Sequence, residues 1–450
     1  MNRHRLFLLS LLLGVPSGIA FTGVVLESSR AVGEEPDLFA SPPRSSAFNV
    51  RSYGAKGDSI ADDTDAIQAC IDAALGSADS KTKVREAKGP IYLPSGKYKI
   101  TRPLKIYSAQ YVKFHGDGGS SQLYPVGKMT SVLDLNGVAY STFNDFLIRG
   151  NGRDESIDDA ILHYWDPATA YRSSTRNVFE KIIIQNTRCV TAIRIGKPKS
   201  GLQVDQGVYR DISIEGAWKP GETTWYQAGL YIGDGLFANN LIHSAYNLES
   251  SFWASGVTVD ASNFSLFGGG LGRNGTDLNA HTLAYFSVQG LRSESSGRFF
   301  ESIGPSSHDA LYNLSDIIWS ADKIVDDGEF IRMRANGVLS LQNLQITNGG
   351  AKAKIAANPV LSSTIRLAGI VSPNTLDGFL STLNAKATAI VEGYYQANTT
   401  VGRVAAIDGF STTGPVQWPG PGGGGIWMRS GGFYSQPGKG KATTLIKPRR

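Results

Sequence analysis

A chain of 450 residues with 52 Gly and 18% charged residues exceeds what one globular core usually supports, but a solenoid, in which each turn touches only its neighbours, escapes that limit. The formal charge of +5 is largely a tail property, because Lys439, Lys441, Lys447, Arg449 and Arg450 close the chain with no acid among them; it gives no nucleic-acid footprint. Two Cys and six His, scattered, exclude a structural zinc site.

In chain order, the basic start Arg3, His4 and Arg5 followed by an uncharged, largely apolar run to Leu26 reads as an export signal, with a small-residue cleavage region near Ala20. Left uncleaved, residues 1–26 are about long enough to anchor in a bilayer. The Ser, Pro and Glu-rich residues 27–46 read as a flexible lead-in. The product is expected to be secreted, periplasmic or at the cell surface. Export permits a disulfide, but Cys70 falls on an apolar helix face and Cys189 in a distant apolar turn, so two separate buried thiols are expected.

From Phe48 to Ile100 the chain carries Tyr53-Gly54-Ala55-Lys56-Gly57-Asp58, then Asp62-Asp63-Thr64 with Ala66-Ile67-Gln68, then Tyr92-Leu93-Pro94-Ser95-Gly96-Lys97-Tyr98. Asp62, Asp63 and Thr64 suit a helix N-terminus, and Ile67, Cys70, Ile71, Ala74 and Leu75 recur at helical spacing, predicting an amphipathic helix over 62–76 that ends at Gly76. Lying across the open end of a solenoid, it would cover apolar side chains and block edge pairing. The block resembles the opening segment of pectate-lyase-superfamily right-handed parallel β-helix proteins. That group includes polysaccharide lyases, polygalacturonase-like and rhamnogalacturonase-type enzymes, glucanases and phage tailspikes. The resemblance implies an all-β solenoid capped by one helix, and it is nearly silent about the reaction.

Short β units then recur every 25 to 40 residues or so, the range of solenoid coils with variable loops. One series is Ala160-Ile161-Leu162, Ala192 to Gly196, Gly229 to Gly233, and Gly256 to Asp260. The other is Phe143 to Ile148, Phe179 to Ile184, Tyr209 to Ile214, and Leu311 to Ile318, with a late turn at Val338 to Ile346. The two alternate, as strands of successive coils should. Period-two alternation puts Ile193 and Ile195 inward and Arg194 outward, with Tyr231 and Thr258 as its neighbours on following coils about 4.8 Å apart. Phe264 to Phe267 reads as a buried strand. The β-helix domain is expected over 47–410, with its pattern weakening after 350, and residues 411–450 as a Gly/Pro-rich, basic, loosely packed tail.

Acid-assisted glycoside hydrolysis needs two carboxyls, about 5–5.5 Å apart for retention or ~6.5–9.5 Å for inversion. If Gly196, Gly233 and Asp260 align, Asp260 lies one coil from Asp234, and this pair is the first catalytic expectation. The plainer reading of both is a solvated turn. Asp158 and Asp159, just before Ala160-Ile161-Leu162, are the second. They resemble the double aspartate of polygalacturonase-type hydrolases, but Gly-His-Gly, Arg-x-Lys and Asn-Thr-Asp are all missing. β-Elimination needs a cation or calcium and a base, for which Arg194, Tyr231, His163, His243 and Arg273 are available, without the Trp-Asp-His pattern of pectate lyases. Either His equally suits a buried coil position. Trp165, Trp218, Trp225, Tyr226 and Trp253 sit at coil corners where rings stack on sugars or fold loops onto the helix. Arg194, Tyr231, Trp225, Trp218 and His163 form the expected substrate-binding set.

The sequence thus reads as an exported polysaccharide-degrading enzyme, a glycoside hydrolase with paired carboxylates. A polysaccharide lyase acting on a uronic-acid polymer and a non-catalytic glycan-binding surface β-helix are the alternatives. No cofactor or metal is expected, calcium entering only with lyase chemistry. The partner is a polysaccharide, not nucleic acid; a membrane enters only through an uncleaved N-terminus. The assembly is a monomer or homotrimer.

Overall fold

The structure is a computed structural model that describes residues 47–151, 156–170, 173–196, 204–233, 242–260, 263–281, 285–302, 310–320, 328–347, 353–359, 361–374, 379–380, 382–397, 404–407, 410–413, 426–429, 432–435 and 443–446. Among the described residues, two long sheets, of 21 and 14 strands, run in parallel as the walls of a right-handed β-helix. Pairing in these two sheets, among the described residues, turns antiparallel only near the C-terminal end, where Val404–Ile407 and Phe410–Thr413 join the larger sheet. Where the sequence suggested a loose tail, Ile426–Arg429, Gly432–Ser435 and Thr443–Ile446 pair as a separate antiparallel sheet.

The helix α1 spans Thr64–Leu75 and buries Ile67, Cys70, Ile71, Ala74 and Leu75, the positions its periodicity picked out. Its cap differs from the expectation. Asp63 occupies the N-cap but turns its carboxylate to the backbone N–H groups of Lys56 and Gly57, while Asp62 accepts from Thr64 N at 3.0 Å. The two acids therefore tie the helix start to the incoming loop and to the chain around Thr101. Cys70 and Cys189 are both buried and free.

Each coil of the larger sheet bends at one left-handed residue, among them Asp145, Lys181, Asp211, Asn247, Asp316 and Asn343, with φ between 50° and 58°. Asx side chains tolerate this conformation and also ladder between coils: Asn247 Nδ2 donates to Asp211 Oδ1 at 2.8 Å, and Asn343 Nδ2 to Asp316 Oδ1 at 2.9 Å. The bend turns a continuous run such as Thr142–Arg149 into two walls, so each coil has three faces, one more than the two alternating series suggested.

Inside, identical register positions stack. Leu104, Leu133, Ile161, Ile193, Leu230, Val257, Leu278, Phe300 and Ile331 form one unbroken fully buried row of the smaller sheet. The coils from Val257 to Leu278 and from Leu278 to Phe300 are shorter than the sequence spacing suggested. Opposite, Phe143, Phe179 and Tyr209 stack at 5.2 and 5.6 Å. Phe264 and Leu266 are buried as expected, but Phe267 turns outward and stacks on Tyr246 at 5.2 Å, as period two requires for a residue three places from Phe264.

Candidate active site on the outer face of the smaller sheet

The row beside that core row points outward: Lys105, Asp134, Leu162, Arg194, Tyr231, Thr258, Asn279, Glu301 and Arg332. Beyond it, at the exits of the strands, Gly196, Gly233, Asp260 and His281 continue the ladder, each backbone N–H donating to the preceding coil at 2.7–2.9 Å. The expected alignment of Gly196, Gly233 and Asp260 is thus present. Gly233 is required there: a Cβ at that position would stand 2.7 Å from Asp260 Cβ.

Four side chains meet on these two rows. Arg194 donates from Nε to Asp159 Oδ1 at 2.8 Å and from its terminal nitrogen to Thr191 Oγ1 at 2.7 Å, and its guanidinium lies 4.8 Å from the centre of the Tyr231 ring. The Tyr231 hydroxyl donates to Asp260 Oδ2 at 3.4 Å. Asp260 and His281, on adjacent coils, interact electrostatically, and Glu301 acts on His281 from the far side. Arg194 therefore reaches its partners on both sides of its strand. An arginine paired with a residue three places away, as Arg194 is with Thr191, recurs as Arg298 with Glu301 at 2.8 Å and Arg332 with Glu329.

Burial sets the protonation states. It pushes the Tyr231 hydroxyl up to about 12, with the nearby Asp260 adding to the effect, so the phenol holds its proton at neutral pH. Burial raises the Asp260 carboxyl and lowers the His281 imidazole, while their mutual attraction opposes both shifts. Asp159, buried against Arg194, is pushed up to about 6 by desolvation despite the guanidinium. The site therefore offers a hydroxyl that donates, an imidazole drawn toward its neutral, proton-accepting form, and a fixed cation. At the N-terminal end of the same face, the Tyr107 hydroxyl donates to Asp134 Oδ2 at 2.6 Å; burial first, then Asp134, pushes that phenol well above the usual range.

The structure brings together Arg194, Tyr231, Asp260 and Asp159 from the residues singled out in the sequence. Asp158, next to Asp159, is exposed to solvent. Asp234 lies outside the described residues. His163 does not reach the surface: its outward-facing expectation is corrected, since it occupies the inward row with Leu135 and Ile195, is 1% exposed and approaches Asn177 Nδ2 at 3.0 Å. His243 is likewise interior, beside Tyr209 and the Val204 carbonyl. Both imidazoles are depressed by burial, to about 3 and about 4. Trp218 and Trp225 sit at the opposite ends of the strands, where Trp218 packs over Gly275 and Trp225 lies under the Arg188 guanidinium at 4.9 Å. Trp253 and Tyr226 are buried and meet edge to face at 5.7 Å, and Trp165 donates to the Ala170 carbonyl. Arg273 belongs to the other sheet's edge, over the Phe252 ring.

His281 was missed in the sequence because its strand, Thr276-Asp277-Leu278-Asn279-Ala280, sets only Leu278 and Ala280 among three polar residues. The signal was the register itself: the residue after that strand occupies the position of Asp260. Among the described residues, no three His, Cys, Asp or Glu side chains converge as metal ligands, and no helix is long and apolar enough to cross a membrane.

Residues 47–270 match the family model described as rhamnogalacturonase A/epimerase, pectate lyase-like. A 54-residue segment is 48% identical to alginate lyase 7 of Azotobacter vinelandii, covering 12% of this chain and 5% of that protein. A match of the same length to the mannuronan C5-epimerase AlgE5 of that organism is 43% identical, over 12% and 4%. The chain thus spans a small fraction of the curated relatives it matches. Among solved structures, ORF18 of Geobacillus virus E2 superposes with a TM-score of 0.51 at 15% identity, over 89% of this chain and 76% of that one. On the match of residues 47–270 to that family model, the chain belongs to the pectate-lyase-like superfamily of parallel β-helix proteins.

Proposed function

We propose that the protein is an exported polysaccharide-acting enzyme whose site is Arg194, Tyr231, Asp260 and His281, and that it moves a proton on a uronic-acid polymer, as a polysaccharide lyase does. The observation that carries this reading is the convergence of a protonated phenol, an imidazole disposed to accept a proton and a fixed guanidinium on one outward face of stacked coils. Such a face is linear, as the polymer is.

In β-elimination, His281 takes the proton from C-5 of the uronate, and Arg194 neutralises the carboxylate on which charge develops. The C-5–H electrons form the C-4=C-5 double bond, the bond from C-4 to the glycosidic oxygen breaks, and Tyr231 protonates that leaving oxygen. Asp260, already bonded to the phenol, orients it. No oxidant is consumed. The names of the matched relatives, an alginate lyase and mannuronan C5-epimerases, agree with a uronate substrate. Asp159 holds Arg194 and takes no part in proton transfer. In this scheme Arg194 supplies the positive charge that a calcium ion provides in other lyases.

A second reading, a glycoside hydrolase, is favoured by the raised Asp260 carboxyl, which suits a general acid; its partner from the sequence, Asp234, would be the base or nucleophile. The basic N-terminus and apolar run of residues 1–26 support action outside the cytoplasm. Incubation of the purified chain with uronic-acid and neutral polysaccharides, following reducing ends and the ultraviolet absorbance of an unsaturated uronate together, separates these readings. Both signals support elimination, reducing ends alone support hydrolysis, and silence on every polymer would leave glycan binding without catalysis.

A further inference from the structure

A polar trough crosses the larger sheet, on a different wall from the candidate active site. Two clefts, of about 410 and 420 Å³, are both bounded by Glu215. They lie along the register row Arg149, Gln185, Glu215, Ser251, Gly272 and Glu294. Five coil steps of about 4.8 Å give this row a length of roughly 24 Å.

Its floor opens at Gly270. That residue stands in register between Glu249 and Arg292, and a Cβ added there would meet nothing nearer than the Arg292 carbonyl at 4.0 Å. At the rim Phe252 has φ 62°, the left-handed bend that Arg273 and Ser295 repeat at the same position of the next two coils, and its half-buried ring lies 5.2 Å from the Arg273 guanidinium. Three carboxylates (Glu215, Glu249, Glu294) balance three guanidiniums (Arg149, Arg273, Arg292), and Arg292 already pairs with Glu294 at 3.0 Å.

We propose that this trough is a second, non-catalytic saccharide-binding site that takes a neutral stretch of glycan. Carboxylate acceptors and fork-shaped guanidinium donors lining one cleft match vicinal hydroxyls, the Phe252 ring offers an apolar contact to a sugar face, and balanced charge gives no preference for a polyanion. Held at the trough as well as at the active face, a polymer is bound at two points, which raises avidity without new contacts at the reacting residues. The choice of ligand rests on the polysaccharide reading above; the existence of a binding trough does not.

The test is affinity electrophoresis of the full chain in native gels containing galactomannan, a neutral probe, or alginate, an anionic one. Galactomannan should retard the protein. Gly270→Phe, which fills the floor, and Arg273→Ala, an exposed change that keeps the fold, should each weaken the apparent affinity roughly five- to tenfold, with turnover of short oligosaccharides unchanged. Tyr231→Phe should leave galactomannan retardation intact. The inference is overturned if both trough variants are retarded like the unaltered chain, if Tyr231→Phe abolishes the retardation, or if galactomannan never retards the protein. Retardation with no turnover of any polymer would instead sink the catalytic reading and leave the trough standing.

Discussion

Acidification sets two groups of buried side chains in this β-helix against each other. His163 and His243 are depressed to about 3 and about 4 by burial, so the unfolded chain binds their protons first. The stability they contribute is full above their ordinary value near 6.5 and is lost as the pH falls. Asp159 and Asp277 are raised by burial to about 6. Their sign is opposite: stability is full below the ordinary value near 3.8 and is lost as the pH rises toward 6. Between pH 6.5 and 4.5 each His should cost about 2 kcal/mol and each Asp should return about 2 kcal/mol, so the intact protein should change by less than about 1 kcal/mol from these four groups. Asp277 accepts from Asn274 at 2.9 Å, from Ser296 at 2.6 Å and from Ser293, and it lies away from the candidate site. Asp277→Asn removes one of the two compensating groups. Urea unfolding at the two pH values should then show the variant losing about 2 kcal/mol more on acidification than the unaltered chain. Surface carboxylates act equally on both proteins and cancel in that difference. Parallel behaviour within about 0.5 kcal/mol would refute the claim that burial governs this carboxyl.

Two further outcomes test the site. Gly233→Ala drives a Cβ into Asp260 and should cut turnover at least tenfold while circular dichroism stays native, because the clash lies on the outer row and leaves the core row of Leu230 and Ile232 intact. Asp159→Asn should lower kcat and leave the thermal midpoint nearly unchanged, since the loss of the bond to Arg194 is offset by relief of a carboxylate that pays desolvation; a large fall in midpoint with full turnover would contradict the assignment of Asp159 as the anchor of Arg194. By contrast, Ile193→Ala in the core row, where the side chain is fully buried, should destabilise by about 2–5 kcal/mol in urea unfolding.

The fold was legible because solenoid physics writes itself locally. Ile193 and Ile195 on either side of Arg194 give its parity, and the repeat of that pattern at Leu230-Tyr231-Ile232 gives its neighbour one coil on. The helical period of Ile67, Cys70, Ile71, Ala74 and Leu75 likewise announced the cap. The site was legible only where a residue sat inside such a strand. Arg194 and Tyr231 did; His281 sat just past a strand with a weak apolar signal, and only register with Asp260 reveals it. His163 misled for a reason of parity: it follows Leu162, which is outward, and so must point in, where its ring lies 5.6 Å from Phe179. The corner tryptophans were indistinct because an aromatic at a coil bend covers the solenoid as readily as it faces a ligand, and Trp253 does the former.

The central claim is that Tyr231 and His281 exchange protons with a uronate polymer, and the most direct measurement is the rate of unsaturated product formation by Tyr231→Phe and His281→Gln on alginate, with native unfolding curves recorded alongside. Each substitution keeps the size of the side chain and removes its proton chemistry. Turnover should fall by about a hundredfold or more in both, with unfolding midpoints close to that of the unaltered chain; turnover within threefold of the unaltered chain in either variant would contradict the account.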